Sequence, residues 1–422
     1  MNQALTGPHG NLYADPRNEP DETSFQVNNT SEAYYNSPYY LAHQKQVQPI
    51  PPRRSNQPVD LRDYLPAAMI QAIAASGTVQ FHAVGDTGAA KVGRSQSAPT
   101  ALEHQGHVAD LMAADIDGID PAKAPAFFFH LGDVVYNFGE AQYYYDQFYE
   151  PYRDYDRPIF AIPGNHDAMV FGTTAAAPAV PTLQAFLANF CAAAPAQSPS
   201  GGGLMRSVVC QPGVYFTLDA PFVSIIGLYT NALDSGPGVI SSEGKHYPIS
   251  DEQLAFLQQE LARLKSDRQA HDRAIVLATH HPPLSCDVRH GGSTGLSNDI
   301  DSCCKAAGLW PDLVLSGHAH LYQRFTRKMP DGSQIPYVVA GCGGYAATQP
   351  MQALPSKIPA TIGDSTLEIK PIIDFGYLTV AVDANKRQLA VAYNEVGTKG
   401  NKRITDSVTV DLVKRTLIGK KM

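Results

Sequence analysis

The stretch Thr78-Val-Gln-Phe-His-Ala-Val-Gly-Asp86 indicates how this chain folds. Its aliphatic and aromatic residues predict a buried β-strand that runs directly into Gly85 and Asp86. Four more apolar runs lead into short polar motifs in the same way: 126–131, 158–162, 274–278 and 313–315. Short apolar runs separated by longer, partly helical stretches indicate βαβ units with buried strands.

Five polar motifs stand at the ends of these runs. They are Gly85-Asp86-Thr87-Gly88, Gly132-Asp133-Val134-Val135-Tyr136, Gly164-Asn165-His166-Asp167, Thr279-His280-His281-Pro282 and Gly317-His318-Ala319-His320. Because ligands of α/β sheets bind just beyond the carboxyl ends of the strands, we expect the motifs to meet in one cleft. Carboxylate, phenol, amide and imidazole groups suit hard or borderline metal ions. The motifs therefore predict two metal ions side by side, an arrangement that cleaves phosphate esters.

The composition limits the classes of partner. The chain has 422 residues, of which 44% are hydrophobic and 17% charged, as in a globular protein. A net charge of −8 argues against nonspecific nucleic-acid binding, which needs clustered Lys and Arg. No apolar run reaches the roughly 18 residues of a membrane helix. We expect small phosphorylated substrates, with neither nucleic acid nor membrane as a partner, and the oligomeric state stays open.

The six cysteines leave the compartment open. None forms a Cys-x-x-Cys pair, which argues against structural zinc. Cys191 and Cys210 bracket a Pro/Ser/Gly-rich loop, and Cys286 lies a short loop before residues 303–304. Both arrangements suit disulfides in an exported protein, and both are equally compatible with reduced thiols. No secretory signal is visible, so localisation is periplasmic or secreted if a signal was removed, and otherwise cytoplasmic.

The chain is expected to comprise an arm and one domain. Residues 1–58, rich in Asn, Pro, Tyr and Gln, predict an extended or poorly ordered arm. Residues 59–422 would form a single catalytic domain, with an insertion at about 171–213 that either overhangs the site or is a surface loop. Helical spacing predicts a helix over 61–75, with Asp60 as its N-cap.

The remaining patterns predict the fold class. It is α/β, an α+β sandwich in which two packed mixed β-sheets are flanked by helices. The predicted elements are a strand pair at 214–218 and 222–227, a helix at 251–264 capped by Ser250, and antiparallel strands at 377–383, 388–394 and 407–412.

The motif set resembles the metallophosphoesterase superfamily with its calcineurin-like architecture, and specifically the purple acid phosphatase branch. Gly88 stands where many relatives carry a metal-binding His, and Tyr136 completes a Gly-Asp-x-x-Tyr pattern. Gly317-His-Ala-His-Leu-Tyr-Gln-Arg324 matches the Gly-His-x-His-x-Tyr-x-Arg form of that branch. The resemblance covers residues 78–395; the segment before it is too short for the fibronectin-like domain of plant members.

This resemblance implies a dinuclear centre of Fe(III) plus a divalent ion, which is Fe, Zn or Mn. The Fe(III) ligands would be Asp86, Asp133, Tyr136 and His320, and the divalent ligands would be Asp133 as bridge, Asn165, His280 and His318. His166 would bind phosphate or protonate the leaving group, and His290 resembles the family's second substrate-facing His. His281 stands at a position that is not a ligand in relatives, and Asp167 would orient His166 or backbone.

The expected reaction is hydrolysis of phosphate monoesters by a metal-bound hydroxide at mildly acidic pH, as in an acid phosphatase. The nearest alternative is a phosphodiesterase or nucleotidase that uses Mn or Zn on the same scaffold. A noncatalytic phosphate- or metal-binding protein is the remaining alternative.

Overall fold

The computed structural model describes residues 6–7, 10–11, 50–88, 98–136, 139–168, 183–230, 252–271, 273–287, 290–345 and 357–419. Most of the predicted arm, the first part of the insertion and the expected cap Ser250 lie outside these residues. Within them, no helix is long and apolar enough to cross a membrane.

The described elements are named in chain order. The strands are β1 (Thr6–Gly7), β2 (Gly10–Asn11), β3 (Val59–Asp60), β4 (Thr78–Val84), β5 (Phe128–His130), β6 (Ile159–Ala161), β7 (Phe216–Ala220), β8 (Val223–Gly227), β9 (Ala274–Thr279), β10 (Leu313–Ser316), β11 (Tyr322–Lys328), β12 (Gln334–Ala340), β13 (Ala360–Ile362), β14 (Ser365–Leu367), β15 (Gly376–Asp383), β16 (Gln388–Val396), β17 (Lys402–Asp411) and β18 (Thr416–Leu417). The α-helices are α1 (Ala67–Ser76), α2 (Ala98–Ala114), α3 (Asn165–Ala168), α4 (Gln184–Phe190), α5 (Glu252–His271) and α6 (Thr294–Ala307).

Two large mixed sheets carry the fold. One has the strand order β13-β14-β11-β12-β10-β9-β8-β7-β3, and the other has the order β18-β17-β16-β15-β4-β5-β6. Strands β4, β5 and β6 are parallel neighbours, as are β8, β9, β10 and β12. The remaining pairings in these sheets are antiparallel, except that β3 runs parallel to β7. β1 and β2 form a separate two-stranded pair.

Aromatic side chains join the inner faces of the two sheets. The rings of Phe129 on β5 and Phe216 on β7 lie 5.9 Å apart, and Tyr322 on β11 stacks on Tyr393 of β16 at 4.1 Å. All four side chains are buried, so the apolar area they remove from water stabilises the packing of one sheet on the other. The predicted fold class, two packed mixed β-sheets flanked by helices, is therefore confirmed.

The parallel strands set the position of the five motifs. Those after β4, β5 and β6 come from the smaller sheet and supply carboxylate, phenol and amide groups. The motifs after β9 and β10 come from the larger sheet and supply imidazoles. The candidate site consequently lies where the carboxyl ends of both parallel sets meet.

Several predicted elements differ from the observed ones. The helix expected over 61–75 is divided, because a 3-10 turn at Leu61–Asp63 ends before Pro66 and α1 begins only at Ala67. A proline disfavours the helical conformation in the residue that precedes it, here Leu65, which explains the break. Asp60 does act as a cap, since its carboxylate accepts the Arg62 backbone N–H at 2.8 Å, but it caps the 3-10 turn.

β4 matches its expected bounds, and the other predicted strands agree to within two residues, except that β17 begins at Lys402, five residues before the predicted start at 407. The helix expected over 251–264 continues to His271 as α5. The sequence patterns did not single out α2, α6 or the strands β11 to β14.

Candidate metal centre

Three predicted ligands occupy strained backbone positions at the motif turns. Asp86, Asp133 and His318 have φ values of 57°, 54° and 67°, in the left-handed region that residues with a Cβ rarely adopt. Such conformations cost about 1–3 kcal/mol each and persist where the surrounding structure imposes them. Here the strain turns the three side chains toward one another at the sheet edge.

Asp86 gathers one half of the centre. The Tyr136 hydroxyl donates to Asp86 Oδ1 at 3.0 Å, and His320 Nε2 lies 3.3 Å from the same oxygen. The Tyr136 hydroxyl and His320 Nε2 are themselves 3.4 Å apart. Asp86 Oδ2 accepts the backbone N–H of His318 at 2.7 Å, which ties this half to the end of β10.

Asp133 gathers the other half. Its Oδ1 accepts the His166 backbone N–H at 2.9 Å, whereas its Oδ2 is buried without a hydrogen-bond partner and lies 3.4 Å from His280 Nε2. The Asn165 Oδ1 atom is 3.2 Å from that same imidazole nitrogen. Ligand atoms of Asp86, Asp133 and His280 all lie within 4.8 Å of one another, so Asp133 stands between the two halves.

The orientation of His280 directs one nitrogen into the centre. Its Nδ1 lies 2.8 Å from the Leu131 carbonyl oxygen, so Nδ1 carries the donated proton and Nε2 faces Asp133. Burial disfavours the imidazolium, but the Asp133 carboxylate outweighs burial and raises the pKa of His280 to about 9. The same contact, together with His166, outweighs burial at Asp133 and lowers the pKa of its carboxyl. A metal ion bound here would compete with the proton that His280 Nε2 shares with Asp133.

Further imidazoles crowd against this centre. The His318 ring lies 4.3 Å from the rings of both His281 and His290, and His290 lies 5.4 Å from His320. Burial and the neighbouring histidines hold the pKa values of His281, His290 and His318 well below the ordinary value. These rings are therefore neutral near pH 7, the form in which imidazole binds metal ions.

Tyr136 lies in an environment that opposes ionisation of its phenol. The side chain is buried, and burial together with the Asp133 and Asp86 carboxylates raises its pKa well above the ordinary value. Its ring packs on His166 at 4.5 Å and on Tyr345 at 4.2 Å. A phenolate at this position therefore requires a strongly polarising cation beside it.

All nine predicted site residues meet at this edge, and His281 joins them. Its Nδ1 lies 2.8 Å from the Thr230 hydroxyl, and its Nε2 is buried without a hydrogen-bond partner. Ligand atoms of His281, His280 and His318 lie within 4.8 Å of one another. The family resemblance does not predict His281 as a ligand, because the matching position is not a ligand in relatives. The doubled His in Thr279-His280-His281-Pro282 was the available signal.

Asp167 holds the turn that carries Asp133. Its carboxylate accepts the backbone N–H groups of Val134 at 3.1 Å, Val135 at 3.3 Å and Gly164 at 2.8 Å. Burial and the nearby Asp133 charge raise the pKa of Asp167 to about 7, despite these three donors. These contacts agree with the expectation that Asp167 orients backbone.

Two further positioning residues have no clear signal in the sequence. Gln147 brackets Tyr136, because its Oε1 accepts the Tyr136 N–H and its Nε2 donates to the Tyr136 carbonyl, both at 2.9 Å. His130 accepts the Gly132 N–H at 3.2 Å through Nδ1, while its Nε2 lies 2.9 Å from the Thr87 hydroxyl. Burial lowers the pKa of His130 to about 3, so it links two motif turns as a neutral ring.

Two motif glycines are required by close approach. A Cβ on Gly164 would lie 2.1 Å from Asp133 Oδ1, and a Cβ on Gly88 would lie 2.4 Å from Gln147 Oε1. Neither contact is sterically possible. Glycine at position 164 therefore lets the backbone approach the Asp133 carboxylate. Glycine at position 88 leaves room for the Gln147 side chain that binds the Tyr136 backbone.

Solved structures to which this chain is similar come from yellow lupin, Plasmodium and Danio rerio. A purple acid phosphatase from yellow lupin (Lupinus luteus) seeds is 16% identical, with a TM-score of 0.50 over 82% of this chain and 57% of that one. GAP50, the anchor in the inner membrane complex of Plasmodium, is 14% identical, with a TM-score of 0.50 over 82% and 90% of the two chains. A dimetal phosphatase from Danio rerio is 11% identical, with a TM-score of 0.46 over 79% and 99%.

The two matches with a TM-score of 0.50 show a shared fold alone, and this chain spans 57% of the lupin protein's length. No curated protein matches the chain in sequence. The sequence profile of the calcineurin-like phosphoesterase family matches residues 80–322, which is more than half of the chain and includes all five motifs. The chain belongs to the calcineurin-like phosphoesterase family.

Proposed function

We propose that this phosphoesterase hydrolyses phosphate monoesters with two metal ions, as an acid phosphatase of the purple type. The observation that carries the proposal is the bridging position of Asp133. Its Oδ2 is buried without a hydrogen-bond partner, and ligand groups from both sheets lie on either side. The His280 imidazole faces that oxygen from 3.4 Å away, so a metal ion bound there would satisfy the oxygen and displace the proton that His280 shares with Asp133.

The donor set fits two different ions. We assign the first to Asp86, Asp133, Tyr136 and His320, and the second to Asp133, Asn165, His280 and His318. The first set carries two carboxylates and a phenol, so it suits Fe(III), whose charge would offset the raised pKa of Tyr136. The second set adds only neutral amide and imidazole ligands to Asp133, which suits divalent Fe, Zn or Mn.

When bound, such a pair of ions acidifies a coordinated water and stabilises the negative charge that develops on the phosphoryl group. The protein contributes orientation. Two Asp133 contacts, to the His166 N–H at 2.9 Å and from Oδ2 to His280 Nε2 at 3.4 Å, fix the carboxylate relative to α3 and β9. Preorganised groups of this kind need no rearrangement during the reaction.

We propose that His166 protonates the leaving group. Its backbone N–H is anchored on Asp133, and its ring rests on Tyr136 at 4.5 Å, so the imidazole is held beside the centre. Donation to the departing alkoxide typically accelerates such a reaction by about 10²–10⁴-fold.

His290 is the second proposed substrate-facing group. Its ring packs on His318 at 4.3 Å, and its Nδ1 is buried without a hydrogen-bond partner. That nitrogen is available to contact a phosphate oxygen. The imidazole–phosphate contact would orient the substrate relative to His166.

Parallel assays with p-nitrophenyl phosphate and bis(p-nitrophenyl) phosphate test the reaction class. We expect release of inorganic phosphate from the monoester, with a rate maximum below neutral pH. Preferential cleavage of the diester would instead support a phosphodiesterase or nucleotidase. Hydrolysis of neither ester by protein that contains two metals per chain would support a noncatalytic binding protein.

The visible absorption spectrum tests the assigned Fe(III) site. A tyrosinate bound to Fe(III) gives a charge-transfer band, which Tyr136→Phe should abolish. Tyr345→Phe is the matched control, because its ring is also buried and lies 4.2 Å from that of Tyr136. A colourless wild-type protein with two bound metals would contradict the Fe(III) assignment and favour Mn or Zn.

A further inference from the structure

A pair of facing cysteines lies in the insertion, apart from the candidate metal centre. Cys191 is the C-cap residue that follows α4, and an isolated antiparallel bridge pairs it with Cys210. A second bridge pairs Gln197 with Ser207, so the chain between the cysteines folds back on itself. Cys191 is buried and Cys210 is partly buried.

The hydrogen bond beside the pair defines its geometry. The Gln211 N–H donates to the Phe190 carbonyl at 3.0 Å, which makes Cys191 and Cys210 a non-hydrogen-bonded antiparallel pair. In such pairs the Cα atoms lie about 4.5 Å apart and the side chains approach most closely. That separation falls within the range of about 4.4–6.8 Å that a disulfide spans.

Arg54, before β3, and Tyr64, after it, contact both sides of this pair. The Cys210 N–H donates to the Tyr64 hydroxyl at 3.1 Å. The Arg54 guanidinium donates to the carbonyls of Cys191 and Gln211, the latter at 2.8 Å. The facing backbones are therefore fixed before any covalent bond forms.

The other cysteines have different surroundings. The Cys286 thiol donates to Gln323 Oε1 at 2.9 Å, and the Cys303 thiol lies 3.5 Å from the Leu254 carbonyl oxygen. Cys342 Sγ lies 3.3 Å from the Tyr393 hydroxyl. Cys304 is buried on α6, three residues before that helix ends at Ala307. Among the described bridge pairs, Cys191 and Cys210 alone place two cysteines opposite each other.

We propose that Cys191 and Cys210 form a structural disulfide when the chain meets a small-molecule disulfide such as oxidised glutathione. One cysteine thiolate attacks glutathione disulfide and releases one glutathione thiolate. The second cysteine thiolate then attacks the mixed disulfide and releases the second glutathione. The protein loses two electrons and two thiol protons, and the glutathione disulfide becomes two thiols.

The bond would close residues 192–209 into a covalent loop. Arg206 in this loop already donates to the carbonyls of Arg157 at 3.1 Å and Tyr152 at 3.0 Å, while Met205 is 88% exposed. Closing the loop restricts the unfolded chain and stabilises the fold. Burial raises the pKa of the Cys191 thiol to about 12 and also raises that of Cys210. Both thiols are therefore poor nucleophiles and poor leaving groups, so the bond forms slowly and is also reduced slowly.

The test maps thiols in the full-length protein. Reduced protein is equilibrated with glutathione redox buffers, alkylated in denaturant, digested and analysed by mass spectrometry without reduction. We expect one cross-linked peptide joining Cys191 to Cys210, with the other four cysteines alkylated. Alkylation of both Cys191 and Cys210, glutathione retained on either one, or pairing with another cysteine would overturn the proposal.

Two variants extend the test. Cys191→Ser should remove both the cross-link and the rise in melting temperature on oxidation, which we expect to be about 5 °C. Cys286→Ser, the matched control, should keep both. An unchanged oxidation-dependent rise in Cys191→Ser would contradict the assignment. If that variant does not fold, the wild-type peptide map decides alone.

Discussion

Two polar clusters in this protein, one largely buried and one partly buried, differ in how their groups are paired. The first is the candidate metal centre. The second, the inner cluster, consists of His82, Asp115, Tyr155, Tyr377 and Lys402. In the inner cluster, Asp115 accepts the Tyr377 hydroxyl at 2.6 Å, is paired with Lys402, and lies 3.3 Å from His82 Nε2. The other nitrogen of His82 is 3.1 Å from the Tyr155 hydroxyl.

The candidate metal centre has more unpaired atoms than the inner cluster, in which one buried polar atom, His82 Nε2, has no hydrogen-bond partner. The candidate metal centre crowds five histidine rings against two carboxylates, and Asp133, His281 and His290 each retain a buried polar atom without a hydrogen-bond partner. Its backbone is strained at three predicted ligands, whereas His82, Tyr377 and Lys402 of the inner cluster lie on the regular strands β4, β15 and β17. What distinguishes the candidate metal centre is therefore the combination of several unpaired buried atoms with strained backbone at the ligand positions.

The comparison predicts that substitutions separate activity from stability. Changes at the candidate metal centre should lower activity far more than stability, because its unpaired polar groups contribute little to the stability of the fold. Changes in the inner cluster should lower stability and leave the reaction intact.

The largest effect is expected from Asp133→Asn. Loss of the bridging charge should release at least one ion and lower kcat/KM by about 10⁴-fold or more, since each ion supplies several kcal/mol to the transition state. Steady-state kinetics and elemental analysis of the same preparation measure both effects. A variant that keeps two metals and more than a tenth of the activity would show that Asp133 is not the bridge.

His166→Gln should lower kcat by about 10²–10⁴-fold without loss of metal. The substitution removes the imidazole but keeps the backbone N–H that binds Asp133. A substrate with a better leaving group needs less protonation, so the loss should be smaller for p-nitrophenyl phosphate than for an alkyl phosphate. Equal losses on both substrates would argue against a general acid.

The Asp115→Asn substitution tests the other side of the comparison. Removing the charge that Lys402 and Tyr377 face should lower the free energy of unfolding by about 1–3 kcal/mol. Urea titration measures this loss, and kcat/KM should stay within about twofold of wild type because Asp115 has no described contact with the predicted ligands. A tenfold fall in activity in a folded variant would show that the two clusters are coupled.

The smallest effect is the pH dependence of stability from Asp115. Burial opposes its charge, but hydrogen bonds from His82, Lys402 and Tyr377 outweigh burial and lower its pKa from 3.8 to about 2. Because the folded pKa is depressed, this contribution is complete above about pH 4 and is lost as the pH falls toward 2. The difference in urea midpoint between wild type and Asp115→Asn should shrink over that interval. A constant difference would contradict the assigned shift.

The sequence predicts which side chains meet at the candidate metal centre, because these side chains lie in short local motifs. Each motif follows an apolar strand, so the strand ends determine where Asp86, Asp133 and His280 meet. The positioning contacts were not accessible in the same way. Gln147 is eleven residues from Tyr136 and carries no motif, and its role depends on how a π-helical turn packs.

The fold was predictable where periodicity is strong and less so elsewhere. The strand β4 is a continuous apolar run and matched its bounds, whereas Pro66 divided the helix expected over 61–75. The inner cluster joins His82 to Lys402 through contacts across hundreds of residues, and such pairs have no local signature. For His281 the family resemblance was the obstacle. It does not predict this residue as a ligand, yet the geometry places one of its ring nitrogens among the candidate ligand atoms.

Elemental analysis of the purified wild-type protein tests the central claim most directly. The account predicts two metal ions per chain, one of them iron, and a fall to one or fewer in Asp133→Asn. A wild-type protein that hydrolyses the monoester at full rate after exhaustive chelation, with no metal detected, would contradict it.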